Sequence, residues 1–134
     1  MIASKNKRFR SNMHFVEIKN LTNPLKLAIR AGVCDNFSLK LRGLMFYSSI
    51  SSSDGLLFIE KEDTKINCSI HMFFMRFDIS VIWINHELIV VDKALAKKWH
   101  PYYAPSYPAC YTLETHASRL DHFAVGDKIF LEND

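Results

Sequence analysis

Three ionisable side chains interrupt an apolar stretch between residues 70 and 78. His71, Arg76 and Asp78 lie among isoleucine, methionine and phenylalanine residues in the run Ile-His-Met-Phe-Phe-Met-Arg-Phe-Asp. Because burying such groups without partners costs free energy, they must pair with one another, pair with other groups, or line a pocket. The planar guanidinium group of Arg76 presents its donors in a fixed geometry that suits a carboxylate or a phosphate.

The functional interpretation is a shallow polar pocket formed by these three side chains, with Glu114 nearby. Such a pocket is expected to bind a small anionic ligand or a peptide carboxylate without a cofactor, and we assign no catalytic residue to it. The alternative is a structural network in which His71, or an ion pair between Arg76 and Asp78, holds a hairpin together. The residue types fit both interpretations.

Common enzyme motifs do not match this sequence. Its glycines, at positions 32, 43, 55 and 126, have spacings that exclude the dinucleotide-binding fingerprint, the phosphate-binding loop and the nucleophile elbow. His86-Glu87 begins like a zinc protease motif, but Val90 stands where the second histidine would be. A metal-assisted hydrolase is the alternative if folding gathers four separate side chains into one site: His71, His100, Glu114 and His116.

The cysteines give no framework for a disulfide or a metal site. Cys34, Cys68 and Cys110 are an odd number, and their spacing matches no zinc motif. We expect them to be buried apolar residues in a reduced, cytoplasmic setting.

Positive charge is concentrated at the start of the chain. The sum reaches +4 before the first acidic residue, although the whole chain carries only +3, because four basic side chains come first: Lys5, Lys7, Arg8 and Arg10. We predict that residues 1–12 form a basic, flexible arm, and nucleic-acid contact through it is a further alternative. No apolar run follows the arm, so it lacks the pattern of a secretory signal, and no membrane association is expected.

Alternating apolar and polar residues predict short strands along most of the chain. The segments are 15–19, 25–32, 55–59, 66–75, 79–84, 87–92, 111–114 and 128–131. The stretch 99–108 holds three prolines and three tyrosines and is predicted to be irregular. Asn85-His86 is a candidate hairpin turn, and Gly126-Asp127 is a second turn.

One segment has the period of a helix. Phe37, Leu41, Leu44 and Met45 stand on one helical face, with Asp35 as N-cap; the helix would end at Gly43. A turn or short helix is also predicted around residues 118–123. Together these segments predict a mainly β fold with one or two short helices, a compact antiparallel barrel or sandwich, as a single domain over residues 13–134. A monomer or weak dimer is expected, because no heptad pattern is present.

Five short motifs occur in a characteristic order. They are Arg42-Gly-Leu-Met45, Gly55-Leu-Leu-Phe58, the segment from Ile70 to Phe77, Tyr111-Thr-Leu-Glu114 and Val125-Gly-Asp127. In order and spacing, over roughly residues 25 to 132, the chain resembles the domain of unknown function 192 family. The resemblance implies a small β-rich fold, often a stand-alone domain in bacteria and archaea, with no established reaction. It also marks Gly43, Met45, Gly55, Gly126 and Asp127 as motif positions with structural roles.

The chain departs from the pattern of that family at two places. Members usually have Arg-Phe-Pro-Ile-Asp where this sequence has Arg76-Phe-Asp-Ile-Ser80, so Asp78 replaces a proline and Ser80 replaces an acid. Positions two apart in a strand share a face, so the carboxylate of Asp78 is a candidate substitute for the lost acid. The usual turn glycine after the central strand is replaced by Asn85-His86.

Overall fold

The computed structural model of the protein describes residues 13–35, 43–45 and 47–133. The elements within these ranges, in chain order, are β1 (Phe15–Asn20), β2 (Ile29–Cys34), β3 (Asp54–Thr64), β4 (Ile79–Ile84), β5 (Val90–Ala96), β6 (Ala109–His116), a 3-10 helix (Ala117–His122) and β7 (Ile129–Asn133). The mainly β fold class predicted from the sequence is confirmed. In this part of the chain no helix has the length and apolar character needed to cross a membrane.

The strands form one seven-stranded sheet in the order β5-β4-β6-β3-β2-β1-β7. β2 and β3 run parallel, and the other neighbouring strands are antiparallel, so the sheet is mixed. An isolated bridge between Ile89 and Lys128 brings the β4–β5 turn next to the start of β7. The sheet does not close into a barrel, so the sandwich-like form is the correct one of the two predicted.

Apolar side chains cover both faces of this sheet. All six residues of β4 are buried, because Val81 and Trp83 face one cluster while Ile82 and Ile84 face the other. We call the first face the loop-covered face, since Leu44, Met72 and Met75 from loops pack on it. The second is the helix-covered face, where Leu120 of the 3-10 helix and Phe123 pack. Burial on two sides explains the continuous apolar run of β4.

The predicted strand at residues 66–75 is wrong. This segment consists of turns, and its strand-like pairing within the described residues is the single bridge from Ile70 to Tyr103. Phe74 has a φ of 61°, a left-handed conformation that no strand contains. The apolar residues that suggested a strand fill the core from a loop instead, since Met72 and Met75 are buried.

The second predicted strand begins later than expected. β2 starts at Ile29, and Leu27, which the alternating pattern placed in the strand, is 50% exposed. The side-chain oxygen of Asn20 accepts hydrogen bonds from the backbone N–H groups of Thr22 and Asn23, which turns the chain away from β1 before β2 begins.

Other local predictions are confirmed, and two lie wholly or mostly outside the described residues. The turn after β4 is held by the Asn85 side chain, which accepts from the N–H groups of Glu87 and Ile89. Residues 99–108 contain only the bridge at Tyr103, and the short helix predicted near residue 118 is the 3-10 helix. Most of the helix predicted between Asp35 and Gly43, like the basic arm 1–12, lies outside the described residues.

Candidate functional site

A cavity of about 120 Å³ opens on the loop-covered face, above β3 and β6. Half of its lining residues are apolar: Leu44, Met45, Phe58, Ile70, Met72 and Met75. The other half are polar or charged: Glu60, Asn67, Ser69, His71, Thr112 and Glu114. Ligand sites combine apolar surface, which binds the body of a ligand, with polar groups that fix its orientation.

Glu114 lies in the interior of the sheet. It stands on β6 between Leu56 of β3 and Val81 of β4, and its side chain shares their face, the loop-covered one. The residue is only 8% exposed, and within the described residues its carboxyl group forms no hydrogen bond or ion pair. Burial raises the pKa of Glu114 to about 8, so the carboxyl group is mostly protonated at neutral pH.

Gly43 brings the backbone close to this carboxyl group. A Cβ at this position would lie 3.8 Å from Oε2 of Glu114 and 3.2 Å from the ring of Phe58. The φ of Gly43 is +48°, which favours glycine. The residue therefore lets the chain pass close to Glu114 and Phe58, directly before the cavity-lining residue Leu44.

His71 lines the same cavity at its exposed rim. Its Nδ1 accepts a hydrogen bond of 3.3 Å from the N–H of Phe73, and the two rings lie 5.4 Å apart. The structure thus brings together two of the side chains that the sequence singled out, His71 and Glu114.

Arg76 and Asp78 lie away from the cavity lining. Arg76 is exposed, whereas Asp78 accepts a 2.8 Å hydrogen bond from the N–H of Lys98 and lies 3.5 Å from Nζ of Lys97. The hydrogen bond from Lys98 and the charge of Lys97 lower the pKa of Asp78. The expectation that residues 71–78 form a buried hairpin is wrong, because the segment is a loop with His71 and Arg76 in solvent; a binding role for Arg76 and Asp78 stays a prediction.

Asp78 does not contact the groups that surround Ser80, the position where the family usually has an acid. Ser80 is fully buried, and its hydroxyl group donates to the carbonyls of His116 or Ala117 at 2.9 and 3.0 Å. The carboxylate of Asp78 instead contacts the loop at residues 97–98. Ser80 therefore contacts the end of β6, whereas Asp78 contacts the loop after β5.

The remaining motif positions hold the backbone in shape around the sheet. A Cβ on Gly55 would lie 2.9 Å from the carbonyl oxygen of Glu114, too close for any larger residue without a shift. Gly126 has a φ of +99°. Asp127 is buried, and its Oδ2 accepts from the side-chain amide of Asn20 at 2.8 Å and from the N–H of Ala124 at 2.9 Å.

The cavity also contains residues that the sequence interpretation did not name. Thr112 and Glu60 are two of them. A signal for Thr112 was present, since it stands two residues before Glu114 on β6 and therefore shares its face. For Glu60 the sequence analysis found no such signal. It lies on β3, and the pairing of β3 with β6, which brings it to the cavity, is set by the tertiary fold.

Two of the side chains proposed for a metal site, His100 and His116, contact separate partners. His100 stacks on Tyr103 with ring centroids 4.6 Å apart, and Nδ1 of His116 lies 2.8 Å from the hydroxyl of Ser118. Across the described ranges, no three histidine, cysteine, aspartate or glutamate side chains come together in a group that could hold a metal ion. All three cysteines are buried, as predicted, and burial raises the pKa of the Cys110 thiol to about 12.

Comparison with known proteins identifies relatives over most of the chain. The UPF0127 protein of Pyrococcus furiosus is 34% identical over 112 residues, covering 82% of this chain and 93% of that protein. The UPF0127 protein of Thermococcus sibiricus is 36% identical over 102 residues, which are 75% of this chain and 64% of that protein. The chain thus spans less than two thirds of the length of the Thermococcus relative.

A solved structure shares the fold. A Sinorhizobium meliloti 1021 protein described as "a putative transcription regulator" superimposes with a TM-score of 0.75 at 15% sequence identity, covering 89% of this chain and 93% of that one. The model of the DUF192 family, described as Uncharacterized ACR, matches residues 18–131. From this match and the archaeal relatives, we conclude that the chain belongs to the DUF192 family.

Proposed function

We propose that this protein binds a small molecule in the cavity beside Glu114, with an aliphatic portion between the apolar walls and an amide or carboxyl group against the Glu114 side chain. The observation that carries the proposal is a buried acid, 8% exposed and unpartnered within the described residues, that lines an open cavity. His71 at the rim and Thr112 beside Glu114 are the further polar contacts.

The cost of burying Glu114 supports a ligand-binding role. A polar group buried without a partner costs about 1–3 kcal/mol. The neighbouring residues Leu56 and Val81 are fully buried and apolar, so a leucine at position 114 would suit the sheet better. A ligand that forms hydrogen bonds with the carboxyl group would offset this cost, which explains why an acid stands at this position.

The protonation state of Glu114 decides which head group is favoured. Below pH about 8 the neutral carboxyl group donates its O–H to a carbonyl or carboxylate oxygen. Above that pH the carboxylate accepts from an N–H group and repels an anion. An amide, which both donates and accepts, is compatible with both forms. We therefore favour an amide over a carboxylate.

The size of the cavity restricts the ligand. Drug-sized molecules occupy cavities of roughly 300–1,000 Å³, whereas this one measures about 120 Å³. It has room for a short aliphatic chain with one head group, such as the side chain or terminus of a peptide. In this proposal Glu114 recognises the amide or carboxyl group, a role that the sequence analysis suggested for Arg76.

Three four-carbon probes test the proposal: butyramide, butyrate and butylammonium. We expect butyramide to give saturable shifts of the Met72 and Thr112 amide signals in two-dimensional NMR, with a dissociation constant of about millimolar. Butyrate is expected to bind only at about pH 6.5 and butylammonium only at about pH 9.5, because Glu114 changes charge between them.

The matched control is Glu114→Gln, which keeps the shape and cannot titrate. It should bind butyramide and lose the dependence of head-group preference on pH. If none of the three probes gives saturable shifts at the cavity in the unaltered protein, the proposed function is wrong.

A further inference from the structure

A second cavity, of about 510 Å³, lies beside the 3-10 helix. It is bounded by the segment before β2, by Ser52 and by the helix, and its lining residue Leu25 packs on the helix-covered face. The side chains around it include three that carry or can take a positive charge: Lys26, Arg119 and His122. The described residues that line it contain no aspartate or glutamate.

Arg119 is buried in the wall of this cavity as an uncompensated charge. It is 1% exposed, and Nη1 donates to the carbonyl of Ser52 at 3.0 Å while Nη2 donates to the carbonyl of Leu27. Its Nε has no hydrogen-bond partner, and the guanidinium group forms no ion pair, in the part of the chain that the structure describes. Two carbonyl dipoles therefore stand where a buried arginine usually has a carboxylate.

A structural role explains only part of this arrangement. Two hydrogen bonds to carbonyls tie residue 27 to residue 52, which a neutral donor would also achieve. An arginine adds a charge that it cannot lose by deprotonation, and burying that charge costs free energy. Each terminal nitrogen carries two N–H groups and uses one for a carbonyl, so the side chain keeps donors for a further acceptor.

We propose that this cavity binds an oxyanion, the carboxylate or phosphate group of a small molecule, whose charge is balanced by Arg119. Lys26 is exposed at the cavity and adds positive potential at its entrance, and His122 is exposed at the same entrance. Planar guanidinium groups bind both carboxylate and phosphate oxygens. The proposal is independent of ligand binding beside Glu114, which uses the other face of the sheet.

The test is a titration of the full chain with sodium phosphate and, separately, with sodium acetate, at constant ionic strength set by sodium chloride. We expect saturable shifts of amide signals confined to the surroundings of the cavity: Leu27, Ser52 and residues 118–122. Tighter binding of phosphate would identify phosphate esters as the ligand class, and tighter binding of acetate would identify carboxylates. Shifts that are absent, or confined to other regions, would overturn the proposal.

His122→Glu is the variant of choice, because residue 122 is exposed and its replacement should not disturb folding. The added negative charge at the entrance is expected to weaken oxyanion binding by about tenfold. The control His14→Glu makes the same charge change far from the cavity. The last residue of β1, Asn20, donates a side-chain hydrogen bond to the carbonyl of His122, whereas His14 lies just before the first residue of that strand. Six residues of strand span about 20 Å, which separates the two positions. Equal affinities of the two variants would contradict the proposal.

Discussion

Glu114 and Arg119 are buried ionisable side chains on opposite faces of one sheet, and they differ in how they tolerate burial. Glu114 can take up a proton and become neutral, and burial raises its pKa accordingly. Arg119 keeps its charge and is stabilised by the carbonyls of Ser52 and Leu27. The comparison teaches that a buried acid makes a site whose preference changes with pH, whereas a buried arginine makes a site that is positive at every pH near neutrality.

The largest expected effect is a pH dependence of stability caused by Glu114. Burial raises its pKa in the folded protein from 4.5 to about 8. The folded state therefore binds more protons than the unfolded state between these values, so stability falls as pH rises through this window and levels off above it. We expect Glu114 to lower the free energy of unfolding by about 4 kcal/mol between about pH 5 and pH 9, measured by urea denaturation.

The variant Glu114→Gln isolates that contribution, because its amide does not titrate. Subtracting its stability profile from that of the unaltered protein should leave the fall between pH 5 and 9. If stability changes with pH in the same way in both proteins between pH 5 and 9, Glu114 is already ionised in the folded state. Glu114 would then keep its charge on burial, as Arg119 does.

The next effect in size concerns Arg119→Ala. The substitution removes the donors to the carbonyls of Ser52 and Leu27 and empties the space of a buried side chain, so we expect a loss of about 3 kcal/mol in urea denaturation. In contrast to the effect of Glu114, this loss should be the same at about pH 5 and pH 9, because a guanidinium group does not titrate there.

Arg76→Ala is the matched control for Arg119, since Arg76 is exposed. Its cost should be about 0.5 kcal/mol or less. If both arginine substitutions cost the same, Arg119 is not held in the way that its hydrogen bonds indicate.

The smallest effect is expected for Asp78→Asn, a partly exposed counterpart of the two buried groups. Asparagine keeps an oxygen to accept from the N–H of Lys98 and loses only the attraction to Lys97, a partly exposed pair at 3.5 Å. The expected loss is about 0.5 kcal/mol or less at neutral pH, and butyramide affinity should not change. A loss of butyramide binding would instead return Asp78 to the binding site, where the sequence placed it.

Local patterns were sufficient for several elements. The apolar run of β4, the Asn85 turn, the irregular stretch 99–108 and the order of the five motifs all follow from neighbouring residues, and they give the fold class and the family. The Asn85 turn, for example, depends on contacts within a few positions, since its side chain accepts from the N–H groups two and four residues later.

The candidate site could be predicted only in part. Glu114 and His71 were both singled out, but the reason given for His71 was burial, and its side chain is exposed. Residues 66–75 have strand-like composition, yet no strand among the described residues pairs with them along their length. Tertiary contacts make them a loop that packs two methionines into the core.

By itself, the sequence determined the β character, the main turns and the family of this protein, because backbone propensity and side-chain alternation are local. Only the tertiary structure decided that residues 71 and 114 share a cavity and that Arg119 is buried without a carboxylate beside it in the described fold. The physical reason is that burial, and with it the charge state of a side chain, depends on what distant segments pack against it.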